Sequence, residues 1–439
     1  MNQVNKKFKL PNGLTVIDVL QKKTQAVTIL ALIPVGSRYE NKQQAGISHL
    51  IEHMLFKGTK RRPTNLIIAR ELDRVGAEYN AFTSKDFTGY YIKINKQHLE
   101  LALDILSDLL FNSVFANPEL AKEKLVVMEE IKMYEDNPSL YLNSLFEKSV
   151  FKKSSLGKLI IGNRNSVKQI SRQQIIAYKK KFYQSNKMIL SIAGSFDEQK
   201  LARYLKKYFC PNKISKSIPA TNNWKKYQTL GKKFICQQKN TRFSFYQKRT
   251  KQAHLAIGVP AYSYFHPRYY ALKLLAIILG GNMSSRLFSE LRVKRGLAYS
   301  IHCAISTYQD AGCLEIRAGL PTKKVNQSIK LILDELKKIK SFGVNPTELS
   351  SAKEFLKGKM ILNLEDSASL AVWYGQQFLL TGQNNDWQDE VAKINQVSLA
   401  DIQMVAKELF NSPLINLALI GPAQIKQQID KQLIKSLSN

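Results

Sequence analysis

Two of the six histidines of this chain lie four residues apart in GISHLIEHMLFKG, residues 46–58, with a glutamate directly before the second. On an α-helix, His49 and His53 are one turn apart and point the same way, with Glu52 on nearly the same face. Two imidazoles at this spacing can bind one Zn²⁺, and the adjacent carboxylate can deprotonate a water there. The pattern H-x-x-E-H reverses the commoner zinc motif H-E-x-x-H. The alternative is an amphipathic helix whose polar face binds nothing.

A catalytic zinc site needs a third protein ligand and one position left for water. The most suitable acidic residues lie in KEKLVVMEEIKMYED, residues 122–136. Glu123 and Glu130 are two helical turns apart and share one face, whereas Glu129 lies about 100° round the helix. We assign Glu130 as the ligand and Glu123 as a carboxylate that orients a histidine or the ligand. Without the histidines, this pair would rather indicate a solvated acidic stripe.

Composition limits the class of protein. The chain has 439 residues, which favours two domains of roughly 200 residues each. Its formal charge is +32, but the lysines are spread along the whole chain, and the sequence contains no nucleic-acid recognition motif. We therefore expect no specific nucleic-acid partner, and a protein that binds anions through this charge remains a rival hypothesis.

The chain has neither a signal-peptide pattern at its start nor a run of eighteen apolar residues. We therefore expect no membrane association and a cytoplasmic location. The four cysteines are scattered and form no C-x-x-C pair, which favours small buried side chains over metal ligands or disulfides.

The order of strand-like and helix-like segments occurs twice. The runs FKLPNGLTVIDVL and AVTILALIPVGSRYE predict a hairpin, followed by the helix of the histidines, a second helix, two strands and further helices. After residues 221–254, which contain no Asp or Glu, AHLAIGVPAY and YYALKLLAIILGG begin the same order without the histidines. We predict an α+β fold of two homologous α/β-sandwich domains produced by internal duplication, each a mostly antiparallel sheet covered by helices.

The predicted domains are an N-terminal catalytic, zinc-binding domain over residues 1–215, a basic linker over 216–250, and a C-terminal domain without a metal site over 251–439. The change in composition at residues 221–254 suggests this division.

Four stretches in chain order resemble successive signatures of the pitrilysin-type (M16) zinc metallopeptidases. They are GISHLIEHMLFKGT, GAEYNAFTSKDFTGYY, EKLVVMEEIKMYEDNP and GGNMSSRLFSELRVKRGLAYS. Together they cover nearly the whole chain. In this family H-x-x-E-H is followed by E-x6-E, whose second glutamate binds zinc. The resemblance therefore implies one Zn²⁺ per chain bound by His49, His53 and Glu130, with Glu52 as the base.

The resemblance also implies residues that contact the substrate. An Arg and a Tyr seven residues apart in the second domain stabilise the reacting carbonyl, and Arg292 and Tyr299 have this spacing, whereas Arg295 does not. Asn80 and Ala81 match the edge strand on which an extended peptide is added through main-chain hydrogen bonds. Without the resemblance, Arg292 would be assigned as a charge at a helix end and Tyr299 as a core or strand residue.

Long members of this family enclose the substrate between two such halves, and this chain corresponds to one half. The resemblance implies a homodimer, or a heterodimer with a related inactive subunit. We therefore predict a zinc-dependent endopeptidase that hydrolyses unfolded peptides or small polypeptides. The alternative is a non-catalytic or partner-dependent subunit of such a peptidase.

Overall fold

The computed structural model describes residues 4–210, 233–410 and 414–429. The chain forms two compact units. Unit 1 consists of Met1–Ile131, Leu159–Gly231 and Met360–Asn385, and unit 2 consists of Lys132–Lys158, Lys232–Lys359 and Asp386–Asn439. Part of the predicted linker 216–250, residues 216–232, lies outside the described residues.

Unit 1 is built on one six-stranded sheet. Its strands are β1 (Val4–Lys9), β2 (Thr15–Leu20), β3 (Ala26–Ile33), β4 (Glu78–Thr83), β5 (Thr88–Asn95) and β6 (Ile189–Gly194). The order is β1-β2-β6-β3-β5-β4, and only β2 and β6 run parallel. The two runs predicted as a hairpin do not pair with each other. A hairpin does form within the first run, between β1 and β2 around the PNG turn, where Gly13 has a φ of 83°. β3 does not pair with β2, because β6 lies between them.

Unit 2 is built on a five-stranded sheet. Its strands are β7 (Arg242–Gln247), β8 (Gln252–Ala261), β9 (Ser300–Thr307), β10 (Gly312–Pro321) and β11 (Asn416–Gly421). The order β7-β11-β8-β10-β9, with only β7 and β11 parallel, repeats the order β2-β6-β3-β5-β4 of unit 1. The two mostly antiparallel sheets and their repeated topology confirm the predicted fold class.

Helices cover both sheets. In chain order they are α1 (Ile47–Leu55), α2 (Asn65–Asp73), α3 (Leu99–Asn112), α4 (Asn117–Asp136), α5 (Pro138–Val150), α6 (Arg164–Gln169), α7 (Arg172–Phe182), α8 (Glu198–Phe209), α9 (Tyr269–Ala276), α10 (Val325–Phe342), α11 (Pro346–Leu364), α12 (Ser367–Thr381), α13 (Trp387–Gln396), α14 (Leu399–Leu409) and α15 (Ala423–Gln428). In the described part of the chain, none of them has both the length and the hydropathy needed to cross a membrane.

Each unit takes one helix from the other half of the sequence. In unit 1, α12 packs on β3 and β6, and Gly375 allows this close approach because a Cβ there would lie 2.7 Å from Leu32 Cδ1 and 3.1 Å from Ser191 Cβ. In unit 2, α5 packs on β8 and β11, where Phe146 belongs to a buried apolar cluster that includes Ala256. The units of the structure therefore do not follow a single division at the linker.

The first turn of α1, which carries the histidines, is fixed by a buried carboxylate. Glu40 is 6% exposed, and its two oxygens accept hydrogen bonds from the backbone N–H groups of Gly46 and Ser48, at 2.7 and 2.9 Å. A carboxylate at this end of a helix satisfies free N–H groups and complements the helix dipole. Gly46 has a φ of 94°, and a Cβ there would lie 2.7 Å from the carbonyl oxygen of Ile161. This position therefore requires glycine.

We predict that Gly46→Ala destabilises the protein far more than Gly76→Ala. Gly76 also has a positive φ, 64°, but a Cβ there would meet no atom within 4 Å. Gly76→Ala should therefore lower the free energy of unfolding by about 1 kcal/mol, the cost of left-handed backbone. Gly46→Ala adds a backbone clash and should lower it by ~3 kcal/mol or more. Urea unfolding followed by circular dichroism measures both, and equal losses would contradict the prediction.

Candidate active site

α1 and the part of α4 that belongs to unit 1 bring three potential metal ligands together. α1 supplies His49 and His53, and α4 supplies Glu130. Oε2 of Glu130 lies 3.6 Å from Nε2 of His49 and 3.7 Å from Nε2 of His53. One donor atom from each of the three residues lies within 4.8 Å of the other two, and no other such set of His, Cys, Asp or Glu occurs among the described residues.

These distances fit a tetrahedral metal ion. Two ligands bound to zinc at about 2.1 Å lie about 3.4 Å apart. The separations of 3.6 and 3.7 Å between histidine nitrogen and carboxylate oxygen are close to this value and too long for good hydrogen bonds. The donor set, two imidazoles and one carboxylate, is also one that zinc accepts in catalytic sites. His49, His53 and Glu130 can therefore hold a zinc ion.

A second carboxylate of α4 orients His53. Nδ1 of His53 lies 3.1 Å from Oε2 of Glu123, and Nζ of Lys57 lies 2.7 Å from Oε1 of the same carboxylate. Because an ionised carboxylate can only accept, the proton is on Nδ1, and Nε2 keeps its lone pair for a metal. Lys57 is a residue that sequence reasoning missed. It follows His53 at helical spacing, but this spacing alone does not show that it contacts Glu123.

Burial and nearby charges shift the pKa values of the two histidines in opposite directions. Burial, together with the neighbouring His53, lowers the pKa of His49 to about 3, so that its imidazole is neutral at ordinary pH. Burial acts to lower the pKa of His53 as well, but the hydrogen bond with Glu123 and the charges of the nearby glutamates outweigh burial and raise it. Protons therefore compete with a metal at His53 rather than at His49.

Glu52 lies on the same helix with its carboxylate held by one partner. Its Oε2 accepts a hydrogen bond from Oγ1 of Thr83, the last residue of β4. Burial raises the pKa of Glu52, although the Thr83 bond and the charge of His53 act in the opposite direction. A half-buried carboxylate with a raised pKa beside a candidate metal site suits the transfer of protons. Thr83 was missed because no sequence spacing relates it to Glu52.

Asn80 and Ala81 lie in β4, which is the last strand of its sheet. Asn80 is exposed, and its side-chain oxygen accepts a hydrogen bond from the N–H of Ala81 at 2.8 Å. Since β4 pairs only with β5 among the described residues, its outer edge offers backbone groups for a further strand. The edge position matches the one that the resemblance implied for these two residues.

Arg292 and Tyr299 both lie in unit 2 with exposed side chains, and Tyr299 is 59% exposed. The guanidinium of Arg292 lies over the ring of Phe288, 5.0 Å from its centre, and no carboxylate of the described residues pairs with it. Arg295, the neighbouring candidate, lies 3.6 Å from Glu290. Of these two arginines, Arg292 is therefore the one that does not pair with a carboxylate of the described residues.

Comparison with known proteins identifies the family. Residues 16–164 match the model described as insulinase (peptidase family M16), and residues 169–356 match the model of the peptidase M16 inactive domain. The uncharacterized zinc protease YmxG of Bacillus subtilis is 35% identical over 95% of this chain and 98% of its own length. The chain belongs to peptidase family M16. An uncharacterized zinc protease of Rickettsia felis is 34% identical to this M16 chain, over 95% of it and 98% of the relative.

Solved structures agree with this M16 assignment. A protease from Helicobacter pylori has a TM-score of 0.86 and 26% identity, and the match covers 96% of this chain and all of that one. An M16-like peptidase from Alicyclobacillus acidocaldarius, at 17% identity, shares the fold with a TM-score of 0.82. The match to a model named for an inactive domain falls largely on the half of the chain that lacks the histidine pair.

We predict that Glu130→Gln weakens zinc binding and that Glu129→Gln does not. Glu130 faces both histidines, whereas Glu129 is exposed on another face of α4. Because an amide is a much poorer zinc ligand than a carboxylate, Glu130→Gln should lower the affinity for zinc by ~100-fold or more. This loss exceeds the one usually seen when a residue that only orients a ligand is replaced. Competition against a chromophoric chelator measures this. Equal affinities for both variants would contradict the assignment of Glu130.

Proposed function

We propose that this chain is a zinc-dependent endopeptidase of the H-x-x-E-H type that hydrolyses peptide bonds in unfolded peptides or small polypeptides. The observation that supports this most directly is the convergence of His49, His53 and Glu130, with the carboxylate of Glu52 on the same helix. The relatives named zinc protease give independent support.

In this proposal His49, His53 and Glu130 hold one zinc ion, and Glu123 fixes the ring of His53. Zinc, when bound, acts as a Lewis acid that makes water nucleophilic at neutral pH. Glu52 takes the proton from the attacking water and passes it to the amine that leaves. The raised pKa of Glu52 suits both roles, because the carboxylate must accept a proton and then release it.

The substrate is proposed to bind as an added strand on β4, beside Asn80 and Ala81. Main-chain hydrogen bonds to an edge strand read the backbone rather than side chains, which favours extended, unfolded segments of varied sequence. We assign Arg292 and Tyr299 as donors to the carbonyl oxygen on which negative charge develops. A second copy of the chain, or a related subunit, is proposed as the partner that completes the enclosure.

We predict that Glu52→Gln abolishes peptidase activity while one zinc per chain is still bound. The amide cannot accept the proton, but the zinc ligands are unchanged, so kcat should fall by about 10³-fold or more. Cleavage of a quenched fluorescent peptide mixture, with and without a chelator, is measured together with the zinc content. Glu129→Gln, which changes the same charge on an exposed face, serves as the control.

Each result of this experiment has a definite meaning. Cleavage by the wild type that a chelator and Glu52→Gln both abolish supports the proposal. If the Glu52→Gln variant binds zinc and keeps full activity, the assigned mechanism is wrong. Zinc without cleavage in the wild type would support the alternative, a subunit that needs a partner or is not catalytic.

We predict that Arg292→Ala lowers kcat by about 10²-fold, the usual effect of losing one donor to a developing oxyanion. Arg295→Ala should change kcat by less than about twofold, because this arginine pairs with Glu290 on the surface. The two variants remove the same charge three residues apart, so kcat for the same peptide substrate separates a specific role from a general charge effect. A larger loss in Arg295→Ala would reverse the assignment.

A further inference from the structure

One hydrogen bond joins the edge strand of unit 1 to the carboxylate of Glu52. Thr83, the last residue of β4, donates its Oγ1 proton to Oε2 of Glu52 in α1. Both residues are half buried, and they are 31 positions apart in the chain. The contact is therefore tertiary, and it exists only when β4 and α1 are both in place.

Thr83 is held at a rigid point of the sheet. Its backbone partner across the ladder is Thr88 of β5, which is fully buried. The next residue, Ser84, closes the turn to β5 through its N–H and the carbonyl oxygen of Phe87, at 2.8 Å. A β-branched side chain at such a position has little freedom at χ1. The donor therefore has a fixed place.

A hydrogen-bond donor on one oxygen of a carboxylate leaves the other oxygen to accept a proton in the reaction. A base must direct a free lone pair at the proton that it takes, and small errors in this geometry cost rate. With Oε2 engaged by Thr83, rotation of the carboxylate is restrained and Oε1 is the oxygen left to accept a proton. Charged hydrogen bonds of this kind are stronger than neutral ones, which adds to the restraint.

We propose that Thr83 is a positioning residue for Glu52, and that its hydroxyl holds the carboxylate so that Oε1 faces the attacking water. This inference rests on the proposed function, because Glu52 needs such orientation only as a base. Since β4 is also the strand on which the substrate is proposed to be added, one element would align both the peptide and the base.

The test compares Thr83→Val, Thr83→Ser and the control Thr88→Val. Valine keeps the shape and strand preference of threonine without its hydroxyl. Thr83→Val should therefore lower kcat by about 10- to 100-fold. KM should change by less than about twofold, and the zinc content should not change. Serine keeps the donor and should restore kcat to within about threefold of wild type. Thr88→Val removes the hydroxyl that donates to the carbonyl oxygen of Val35 at 2.8 Å, but it leaves the backbone pairing with Thr83. It should therefore lower the thermal midpoint while keeping kcat.

The outcomes separate this inference from the proposed function. Unchanged kcat in Thr83→Val, with cleavage by the wild type that Glu52→Gln abolishes, would overturn the inference and leave the function intact. An equal loss of kcat in Thr88→Val would also overturn it. If the wild type cleaves nothing, crystal structures of the wild type and of Thr83→Val still test the inference. A Glu52 side chain that is ordered in the wild type but displaced, or in several rotamers, in Thr83→Val would support it. An unchanged Glu52 carboxylate in Thr83→Val would refute it.

Discussion

The placement of His53 between two carboxylates of α4 is the constraint on which the rest of the site depends. Its Nδ1 faces Glu123 at 3.1 Å and its Nε2 faces Glu130 at 3.7 Å. Because the imidazole ring is rigid, α1 and α4 can satisfy both contacts in only a narrow range of relative positions. Turning α4 by one residue, about 100°, would replace Glu130 by Glu129 and remove Glu123 from the ring. The spacing of seven residues is therefore a requirement of the geometry.

Neighbouring donors around α1 offset the free-energy cost of burying the carboxylates that hold His53 and the start of the helix. A buried carboxylate is destabilising unless its oxygens find donors, and Glu123 meets this condition because His53 and Lys57 each engage one oxygen. Glu40 in turn satisfies two N–H groups at the start of the helix. Both carboxylates are at most 6% exposed, and each has a donor on both of its oxygens. The polar groups of this region thus stabilise the helix that carries the site.

Local spacing explains which parts of the site the sequence could predict. His49, Glu52 and His53 are one helical turn, and Glu130 follows from the face it shares with Glu123, so periodicity alone brings them into consideration. Thr83 could not be found this way, because its contact with Glu52 depends on where a strand meets a helix. Sequence patterns likewise predicted most of the strands and their repeated order, although β7 lies within the segment predicted as a linker. They did not place β6 between β2 and β3, since pairing between distant strands leaves no local signal.

The exchange of α5 and α12 between the halves of the sequence is another long-range feature that composition could not indicate. A basic linker suggests two domains in succession, yet the sheet of unit 1 is covered by a helix that comes after most of unit 2. The contacts of α12 are specific, because Ser367 lies 2.8 Å from the hydroxyl of Thr28 and Asp366 pairs with Lys93 at 2.9 Å. A chain cut at the linker would leave the buried strands β3 and β6 without this cover. The duplicated halves therefore complete each other's cores, and unit 1, which carries the candidate metal site, needs sequence from both.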